Sequence, residues 1–367
     1  MADRFEVSPR RIRVRSASRQ YTVVVGQGLL ARASSVFAAE GLPPTAALVT
    51  TSRIWRLHGR RASRLAGSAG PIVMGDGEKA KHLRSVERIY RALAARRVDR
   101  GGTVIAFGGG VVGDVAGFAA ATFLRGIDFI QVPTTLVAQV DSAIGGKVGV
   151  NLPAGKNLAG AFHAPALVLV DPTLLRTLPP REFRAGLYEV IKYGVIASRP
   201  LFDRVAGSLE QINAQESRVL NGVIMDCCRL KAEVVQRDER EDGPRRILNF
   251  GHTVGHALEA ATEYRRFRHG EAIGWGMAAA ARLSVMRGAM SIDEEQELLA
   301  LLHRLGPRPA VNDLRANDIL DAMSRDKKVR HGRLHFVLCA GIGRTEIVSD
   351  VSKTELRAAV RALGVRP

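Results

Sequence analysis

The chain has 367 residues, enough for one large domain or two ordinary ones, and its hydrophobic content of 46% excludes a disordered chain. No stretch is apolar enough to predict a membrane span, and the first residues lack the apolar core of a secretory signal. The net charge of +18 is compatible with anionic partners, but the basic residues are scattered and aromatic content is only 5%, which argues against a nucleic-acid-binding surface.

The cysteine content points to a reducing compartment. The chain holds 3 cysteines, Cys227, Cys228 and Cys339, and such a set, with adjacent members, does not make a disulfide framework. We therefore expect a cytoplasmic protein that contacts neither membrane nor nucleic acid.

Short apolar runs alternate with helical periodicity in the first half of the chain. The helical pattern covers residues 82–98. The strand-like runs lie at residues 46–52, 71–75, 103–110, 129–135 and 167–171. This alternation predicts a Rossmann-like α/β domain with a mostly parallel sheet and crossover helices.

Beyond residue 178 the pattern changes to long helices, so we place a domain boundary there. The helical patterns lie at residues 185–197, 218–238, 251–261 and 270–286, and one strand-like run follows at 334–339. The sequence thus predicts an α/β domain at residues 1–178 and a mainly α-helical domain at residues 179–367.

A glycine motif follows the strand that begins at residue 103. Gly108, Gly110 and Gly113 have the G-x-G-x-x-G spacing and open a helical pattern. Glycine lets the backbone approach a phosphate at a helix N-terminus, although the spacing alone is weak evidence for a nucleotide. Asp128 lies at about the distance expected of a ribose-binding acid, but it precedes the strand 129–133 instead of ending it, so we do not assign it to a ribose.

Polar side chains are concentrated between residues 125 and 160, in an apolar and glycine-rich setting. They are Arg125, Asp141, Lys147, Lys156 and Asn157. Charged side chains on a loop are normally solvated, but the glycine pairs among them indicate tight turns beside a ligand. We interpret this segment as part of a binding site.

The segment LNFGHTVGHALEAA places His252, His256 and Glu259 on one face of a helix that starts after Gly251, and His269 follows shortly. Imidazole is the commonest zinc ligand, and a catalytic zinc needs three protein ligands and an open position. A histidine pair at this spacing also occurs on ordinary polar surfaces. The segment by itself leaves a metal face and a surface face open.

Several motifs, taken together, closely resemble the 3-dehydroquinate synthase family across roughly residues 45–345. They are GGGVVGDVAGFAAATFLRG, VPTTLVAQVDSAIGGKVGVN, AGKNLAGAFH, GLYEVIKYG, LKAEVVQRDE, RRILNFGHTVGHALE and HGEA. The resemblance implies a nucleotide-binding α/β domain, a helical metal-binding domain and a homodimer.

The resemblance also implies a lyase reaction of the shikimate pathway of aromatic amino acid biosynthesis. The family converts 3-deoxy-D-arabino-heptulosonate 7-phosphate to 3-dehydroquinate and phosphate. It uses NAD, which is reduced and reoxidised in each turnover, and a divalent metal, zinc or cobalt. After a transient oxidation, phosphate leaves by β-elimination and an intramolecular aldol step closes the ring.

By motif match, the resemblance implies Glu189, His252 and His269 as the metal ligands. It makes His256 a neighbouring catalytic group that hydrogen-bonds substrate or relays a proton, instead of a ligand. The other implied catalytic or substrate-binding residues are Arg125, Asp141, Lys147, Lys156, Asn157, Lys192, Lys231, Arg245, Asn249 and either Lys327 or Lys328, between which the sequence does not decide. The implied cofactor-binding residues are Glu78, Lys81, Gly109, Gly110, Asp114, Thr134, Thr135, Lys156 and Thr177.

One departure from the family pattern concerns the cofactor ribose. Where some members have an acid after the first strand of the α/β domain, this chain has Thr51, Ser52 and Arg53. The adenosine ribose contact therefore stays open, including tolerance of a 2′-phosphate.

Other functions stay open at this point. A related sugar phosphate cyclase would act on another heptulose or hexose phosphate. A metal-dependent polyol dehydrogenase of the same fold would show net NADH production, but would not require the AQVDSAIGGKVGVN and AGKN motifs. A nucleic-acid-binding protein is supported only by the net charge.

Overall fold

A computed structural model describes residues 9–43, 47–324, 329–330 and 333–367. Its Cα atoms group into two compact units, Met1–Pro179 with Gln215–Arg240 and Pro180–Ala214 with Glu241–Pro367. The boundary predicted at residue 178 lies next to the break at Pro179. The units differ from a single division into 1–178 and 179–367 because Gln215–Arg240 returns to the first unit.

The bounds of the regular elements are as follows. The strands are β1 (Arg10–Arg15), β2 (Gln20–Val25), β3 (Ala47–Thr51), β4 (Ile72–Met74), β5 (Thr103–Gly108), β6 (Asp128–Pro133), β7 (Lys147–Leu152), β8 (Gly155–Phe162), β9 (Leu167–Val170), β10 (Val329–Arg330), β11 (Arg333–Leu334), β12 (Phe336–Cys339) and β13 (Thr345–Val348). The α-helices are α1 (Ala33–Ala39), α2 (Ser52–Ala66), α3 (Leu83–Ala95), α4 (Gly110–Thr122), α5 (Pro180–Ala197), α6 (Arg199–Gly207), α7 (Leu209–Asn213), α8 (Ser217–Arg237), α9 (His252–Ala261), α10 (His269–Met286), α11 (Ile292–Arg304), α12 (Ala316–Ser324) and α13 (Lys353–Arg361).

The first unit is built on a 7-stranded sheet in the order β1-β2-β9-β6-β5-β3-β4. All neighbouring strands in it are parallel except β1 and β2, which form an antiparallel hairpin. The predicted Rossmann-like, mostly parallel sheet is therefore confirmed. The hairpin β1–β2 and the separate hairpin β7–β8 were not among the predicted elements.

Alternate residues of the central strands belong to different apolar clusters. In β5, Val104 packs in the cluster with Ile89 of α3, whereas the next residue, Ile105, packs in the cluster with Leu65 of α2. Successive side chains of a strand point to opposite faces of a sheet, so helices cover this sheet on both faces. The loops at the carboxyl ends of the strands remain for binding.

The second unit is mainly helical, as predicted, and its apolar cluster includes Leu258 of α9, Leu283 of α10 and Ile319 of α12. The predicted strand at 334–339 is interrupted. Leu334 belongs to the ladder of β10 and β11, and the ladder of β12 with β13 starts at Phe336. Among the helices that the structure describes, none combines the length and the apolar character needed to cross a bilayer.

Candidate functional site

The glycine motif of the first unit forms the turn between β5 and α4. Gly109 is the N-cap residue of α4, and Gly110 is its first residue. A Cβ added at Gly109 would lie 3.0 Å from Thr135 Cγ2, and one added at Gly110 would lie 3.0 Å from Ser142 Oγ. Side chains would therefore close the turn, whereas glycines leave the backbone N–H groups of the helix N-terminus accessible to an anion.

The third glycine of the motif has a packing role. A Cβ at Gly113 would lie 2.7 Å from Oε1 of Gln131, which is on β6. Gly113 thus allows α4 to approach the sheet closely, as the third glycine of a dinucleotide-binding turn does.

Two buried hydroxyl groups lie at this turn. Thr134 Oγ1 and Ser142 Oγ have no hydrogen-bond partner among the described residues. The backbone of Thr134 is fixed, since its N–H donates to Gly108 O at 2.9 Å. Buried polar atoms in proteins are nearly always hydrogen-bonded, so unpartnered hydroxyls beside a helix N-terminus fit a polar ligand such as a dinucleotide.

An ion pair joins two of the residues predicted to bind the cofactor. Lys81 Nζ donates to Asp114 Oδ2, and the Lys81 side chain is almost fully buried. Burial raises the pKa of Asp114, and the adjacent Lys81 ammonium only partly offsets this effect. The charge of the Asp114 carboxylate, near the start of α4, is therefore balanced by the Lys81 ammonium.

A second ion pair involves the segment Gln215–Arg240, which groups with the first unit. Lys231, on α8, lies with its Nζ 2.5 Å from Asp141 Oδ1. Asp141 lies in a π-helical turn, Ala138–Ser142, and π-helical turns are frequent at functional sites. The structure thus brings together these two predicted substrate-binding residues, which are far apart in the sequence.

The remaining substrate-binding residues predicted in this unit are less enclosed. Lys147 is exposed at the start of β7, and Lys156 and Asn157 lie in β8. Arg125 is exposed, has a φ of 71° and forms no ion pair with a described residue. A positive φ at a residue other than glycine is a strained conformation that clusters at functional sites.

Thr177 has a buried partner that the sequence did not indicate. Its hydroxyl donates to Leu174 O at 3.2 Å and accepts from His58 Nε2 at 2.8 Å. Burial lowers the pKa of His58, which favours the neutral imidazole. His58 lies on α2, and no local pattern on that helix pointed to a contact with Thr177.

The residues considered for the ribose have structural contacts. Thr51 Oγ1 caps α2 by accepting from Ile54 N at 3.3 Å. Asp128 forms an ion pair with Arg19, which supports leaving Asp128 out of the cofactor site. Arg53 is exposed on the first turn of α2.

In the second unit, the predicted metal ligands come from three helices. Glu189 is on α5, His252 starts α9 and His269 starts α10. Glu189 Oε1 lies 3.7 Å from His252 Nε2 and 3.4 Å from His269 Nε2. Donor atoms of a tetrahedral zinc site, each about 2.1 Å from the ion, lie roughly 3.4 Å apart, so this donor set fits a divalent metal.

Close backbone packing produces this convergence. A Cβ at Gly270 would lie 1.8 Å from Ala185 O, so the start of α10 touches α5 one turn before Glu189. A Cβ at Gly276 would lie 1.8 Å from Gly251 O, so α10 and the start of α9 are equally close. Helices that approach this closely need glycine at the contact.

Hydrogen bonds orient the two imidazoles. His252 Nδ1 donates to Phe250 O at 3.1 Å, and His269 Nδ1 lies 3.4 Å from Glu259 Oε2. In each ring the other nitrogen, Nε2, then faces Glu189. A metal-binding imidazole usually donates its second N–H to a carbonyl or carboxylate, so these contacts match a metal site.

The acids around His269 favour its protonated form. Burial would lower the pKa of His269, but its hydrogen bonds to Glu189 and Glu259 and the charges of these carboxylates raise it to about 10. A metal ligand must be a neutral imidazole, so a bound cation replaces this proton.

His256 lies as close to the cluster as the predicted ligands do. Its ring centroid is 5.3 Å from that of His252 and 5.7 Å from that of His269. One nitrogen of each ring lies within 4.8 Å of the others, so geometry alone does not separate ligand from neighbour. The division of roles between His256 and His269 stays a prediction.

The other predicted residues of this unit lie near the start of α9. Lys192 Nζ is 2.5 Å from Glu189 Oε2, and Arg245 is buried. Asn249 Nδ2 donates to Glu241 Oε1 at 2.6 Å. The predicted Lys328 and its alternative Lys327 lie outside the described residues.

Comparisons with known proteins agree with these features. Residues 71–185 match the family model of the 3-dehydroquinate synthase N-terminal domain, and residues 186–329 match that of the C-terminal domain. A 3-dehydroquinate synthase of Gloeobacter violaceus is 47% identical over 96% of this chain and 99% of its own length.

Solved structures of other enzymes share the fold. 2-Deoxy-scyllo-inosose synthase, complexed with carbaglucose-6-phosphate, NAD+ and Co2+, superposes with a TM-score of 0.86 at 27% identity, over 96% of this chain and 100% of that one. 2-epi-5-epi-Valiolone synthase from Streptomyces hygroscopicus subsp. jinggangensis 5008, with NAD+ and Zn2+ bound, has a TM-score of 0.83 at 29% identity, over 94% of this chain and 96% of that one. With both family models matched and a close relative over nearly its full length, the chain belongs to the 3-dehydroquinate synthase family.

Proposed function

We propose that this chain is a 3-dehydroquinate synthase, which converts 3-deoxy-D-arabino-heptulosonate 7-phosphate to 3-dehydroquinate and phosphate. The observation that carries the proposal is the cluster in which Glu189 Oε1 lies 3.4–3.7 Å from the Nε2 atoms of His252 and His269. Burying a carboxylate is costly. The Lys192 ammonium contacts Oε2 of Glu189, and a divalent metal bound between Oε1 and the two imidazoles would offset more of this cost.

The donor sets in the two units fit NAD and a divalent metal. Glu189, His252 and His269 would hold zinc or cobalt. The residues that would hold NAD are Glu78, Lys81, Gly109, Gly110, Asp114, Thr134, Thr135, Lys156 and Thr177. When bound, the two groups supply a reversible hydride acceptor and a Lewis acid.

The protein's own residues then bind and orient the anionic substrate. Lys147, Lys156, Lys231 and Arg125 of the first unit supply cations for the phosphate and carboxylate, and Asp141 and Asn157 supply hydrogen bonds. In the second unit, Lys192, Arg245 and Asn249 have the same roles, and Lys328 is proposed to join them. Fixed charges are worth more at a water-poor site than on a surface, so positioning and electrostatics supply much of the catalysis.

Proton transfer falls to His256 in this account. Its ring lies beside the two imidazoles proposed as ligands, and its side chain is only partly buried. A group next to the ligands can relay a proton between substrate and solvent, and such general acid–base catalysis contributes about 10²–10⁴-fold.

The proposal is tested by comparing the rates of phosphate release from different substrates. Purified protein with NAD⁺ and Zn²⁺ or Co²⁺ should release inorganic phosphate from the heptulosonate phosphate at least a hundredfold faster than from sedoheptulose 7-phosphate or glucose 6-phosphate. Faster release from either of those sugars would identify a different cyclase. Oxidation of a simple polyol with net NADH production would identify a dehydrogenase instead.

We further propose that the protein acts in the cytoplasm as a homodimer and binds neither nucleic acid nor membranes. The support is the family resemblance, with the reduced state expected of its cysteines. Multi-angle light scattering of the pure protein should give twice the mass of 39.7 kDa. A monomeric mass with full activity would contradict the dimer.

A further inference from the structure

The hairpin β7–β8 contains an irregularity opposite Asn151. Val150 pairs with Ala159, and Leu152 pairs with Gly155, so the register shifts between these pairs. Three residues of β8, Lys156–Leu158, therefore lie opposite the single residue Asn151 of β7, and β8 carries the bulge. A bulge bends the strand that holds the extra residues and disrupts its ladder locally.

Asn151 joins two parts of the predicted site. Its Nδ2 donates to Glu78 Oε1 at 2.7 Å, and its Oδ1 accepts from Asn157 N at 2.9 Å. Its own backbone N–H donates to Lys81 O at 2.9 Å. One residue thus contacts the segment predicted to bind NAD and the start of β8, where Asn157 is predicted to bind substrate.

The start of β8 has few such contacts among the described residues. Asn157 has a φ of 52°, in the left-handed region, which asparagine tolerates better than most residues with a Cβ. The bond from its N–H to Asn151 is the described interaction that fixes this amide. Without it, this amide would lose its described partner, and the backbone that presents Lys156 and Asn157 would be less well fixed.

We propose that Asn151 is a positioning residue, whose single amide group holds Glu78 and the start of β8, Gly155–Asn157, in place. The proposal rests on the proposed function in so far as these residues bind cofactor and substrate. Asparagine suits the position because it carries a donor and an acceptor on one rigid group. An aspartate would keep the acceptor for Asn157 but would place a second carboxylate against Glu78.

The first test measures the start of β8 itself by hydrogen exchange. In Asn151→Ala, the peptide covering residues 153–158 should exchange at least tenfold faster than in the wild type, whereas Asn151→Asp should keep its protection. Asn312→Ala, at an exposed asparagine, serves as the matched control. Unchanged exchange in Asn151→Ala would overturn the proposal. This readout does not depend on activity, so it stands apart from a failure of the proposed function, which would show as no phosphate release by the wild type.

The second test separates the two contacts by ligand binding. Asn151→Asp should raise the Kd for NAD about tenfold, with little effect on the KM for substrate, whereas Asn151→Ala should raise both constants. Glu78 is itself proposed to bind NAD, so the double variant is compared with Glu78→Gln alone. Adding Asn151→Asp to Glu78→Gln should raise the Kd little further, because the glutamine amide can donate to the new carboxylate. A further tenfold rise in the Kd on adding Asn151→Asp to Glu78→Gln would contradict the proposal.

Discussion

The two units of the molecule build their candidate sites by different means. In the first unit, the candidate site combines a glycine turn at the start of α4 with two largely buried ion pairs, Lys81–Asp114 and Lys231–Asp141. In the second unit, imidazoles and carboxylates converge from three helices onto a small volume.

The difference shows where each unit depends on its ligand. Lys81 and Lys231 of the first unit have carboxylate partners in the chain itself, so removing one partner leaves a largely buried charge and destabilises the fold. In the second unit, the carboxylates around His269 raise its pKa, and a metal ion bound by His269 would replace the proton that they favour. Variants in the first unit should therefore change stability, and variants in the second should change metal content.

The largest effect is expected in the metal cluster. His269→Ala should lose the metal and reduce turnover about a thousandfold or more, because the metal supplies several kcal/mol of charge stabilisation. His256→Ala should retain the metal and lower turnover about 10²–10⁴-fold. The metal content of each variant, measured by plasma emission spectroscopy, shows which histidine is a ligand. His303→Ala, at an exposed histidine, is the control. Equal metal loss in His256→Ala and His269→Ala would make His256 a ligand.

A large effect on stability is expected in the first unit. Lys81→Met leaves Asp114 without its partner and should lower the free energy of unfolding by about 2–3 kcal/mol, less than for a fully buried pair. Lys81→Met with Asp114→Asn should recover much of that loss. Urea denaturation of the wild type, the two single variants and the double variant gives the free energies of unfolding. Lys79→Met, at an exposed lysine nearby, should stay within about 0.5 kcal/mol of the wild type. Simple addition of the two single effects would mean that the pair is not coupled.

A moderate effect is expected at Glu259, which orients His269. Glu259→Gln should weaken zinc binding about 10–100-fold, since it removes the acceptor charge for the Nδ1 proton. Competition with a chelating dye measures the zinc Kd. Glu263→Gln changes an exposed acid four residues away and should leave the Kd unchanged. An unaltered Kd in Glu259→Gln would show that His269 does not need this contact.

The smallest effect is expected away from both candidate sites, at the ion pair between Arg287 and Glu355. The pairing lowers the pKa of Glu355 from 4.5 to about 2, chiefly through its hydrogen bond with Arg287. A folded-state pKa below the usual value stabilises the fold above pH 4.5, and this contribution is lost as the pH falls through about 2. Arg287→Ala should thus cost about 0.5–1 kcal/mol at pH 7 and less at pH 3, as measured by urea denaturation. If the difference in unfolding free energy between the wild type and Arg287→Ala grew toward pH 3, the lowered pKa of Glu355 would not be its cause.

Local patterns were sufficient for much of the fold. Alternating apolar runs predicted the central strands, and helical spacing placed His252 and His256 at the start of α9. Both signals depend only on residues that are close in sequence. The hairpin β1–β2 was missed because β1 has the sequence RRIRVR, which resembles solvated surface, although it forms an edge strand of the sheet.

Local sequence patterns do not predict the contacts that support the site. His58 reaches Thr177, and Asn151 reaches Glu78, across long stretches of sequence. Helical periodicity predicted α8 without indicating that it packs with the first unit and brings Lys231 to Asp141. Glu259 was the exception, since its place on the same helical face as His252 was visible from spacing alone.

The most direct test of the account follows phosphate and NADH in the same reaction. With NAD⁺, Zn²⁺ and the heptulosonate phosphate, inorganic phosphate should accumulate over many turnovers while absorbance at about 340 nm stays flat, because the hydride returns to the substrate in each cycle. Steady accumulation of NADH, or no release of phosphate by metal-loaded protein, would contradict the proposed function.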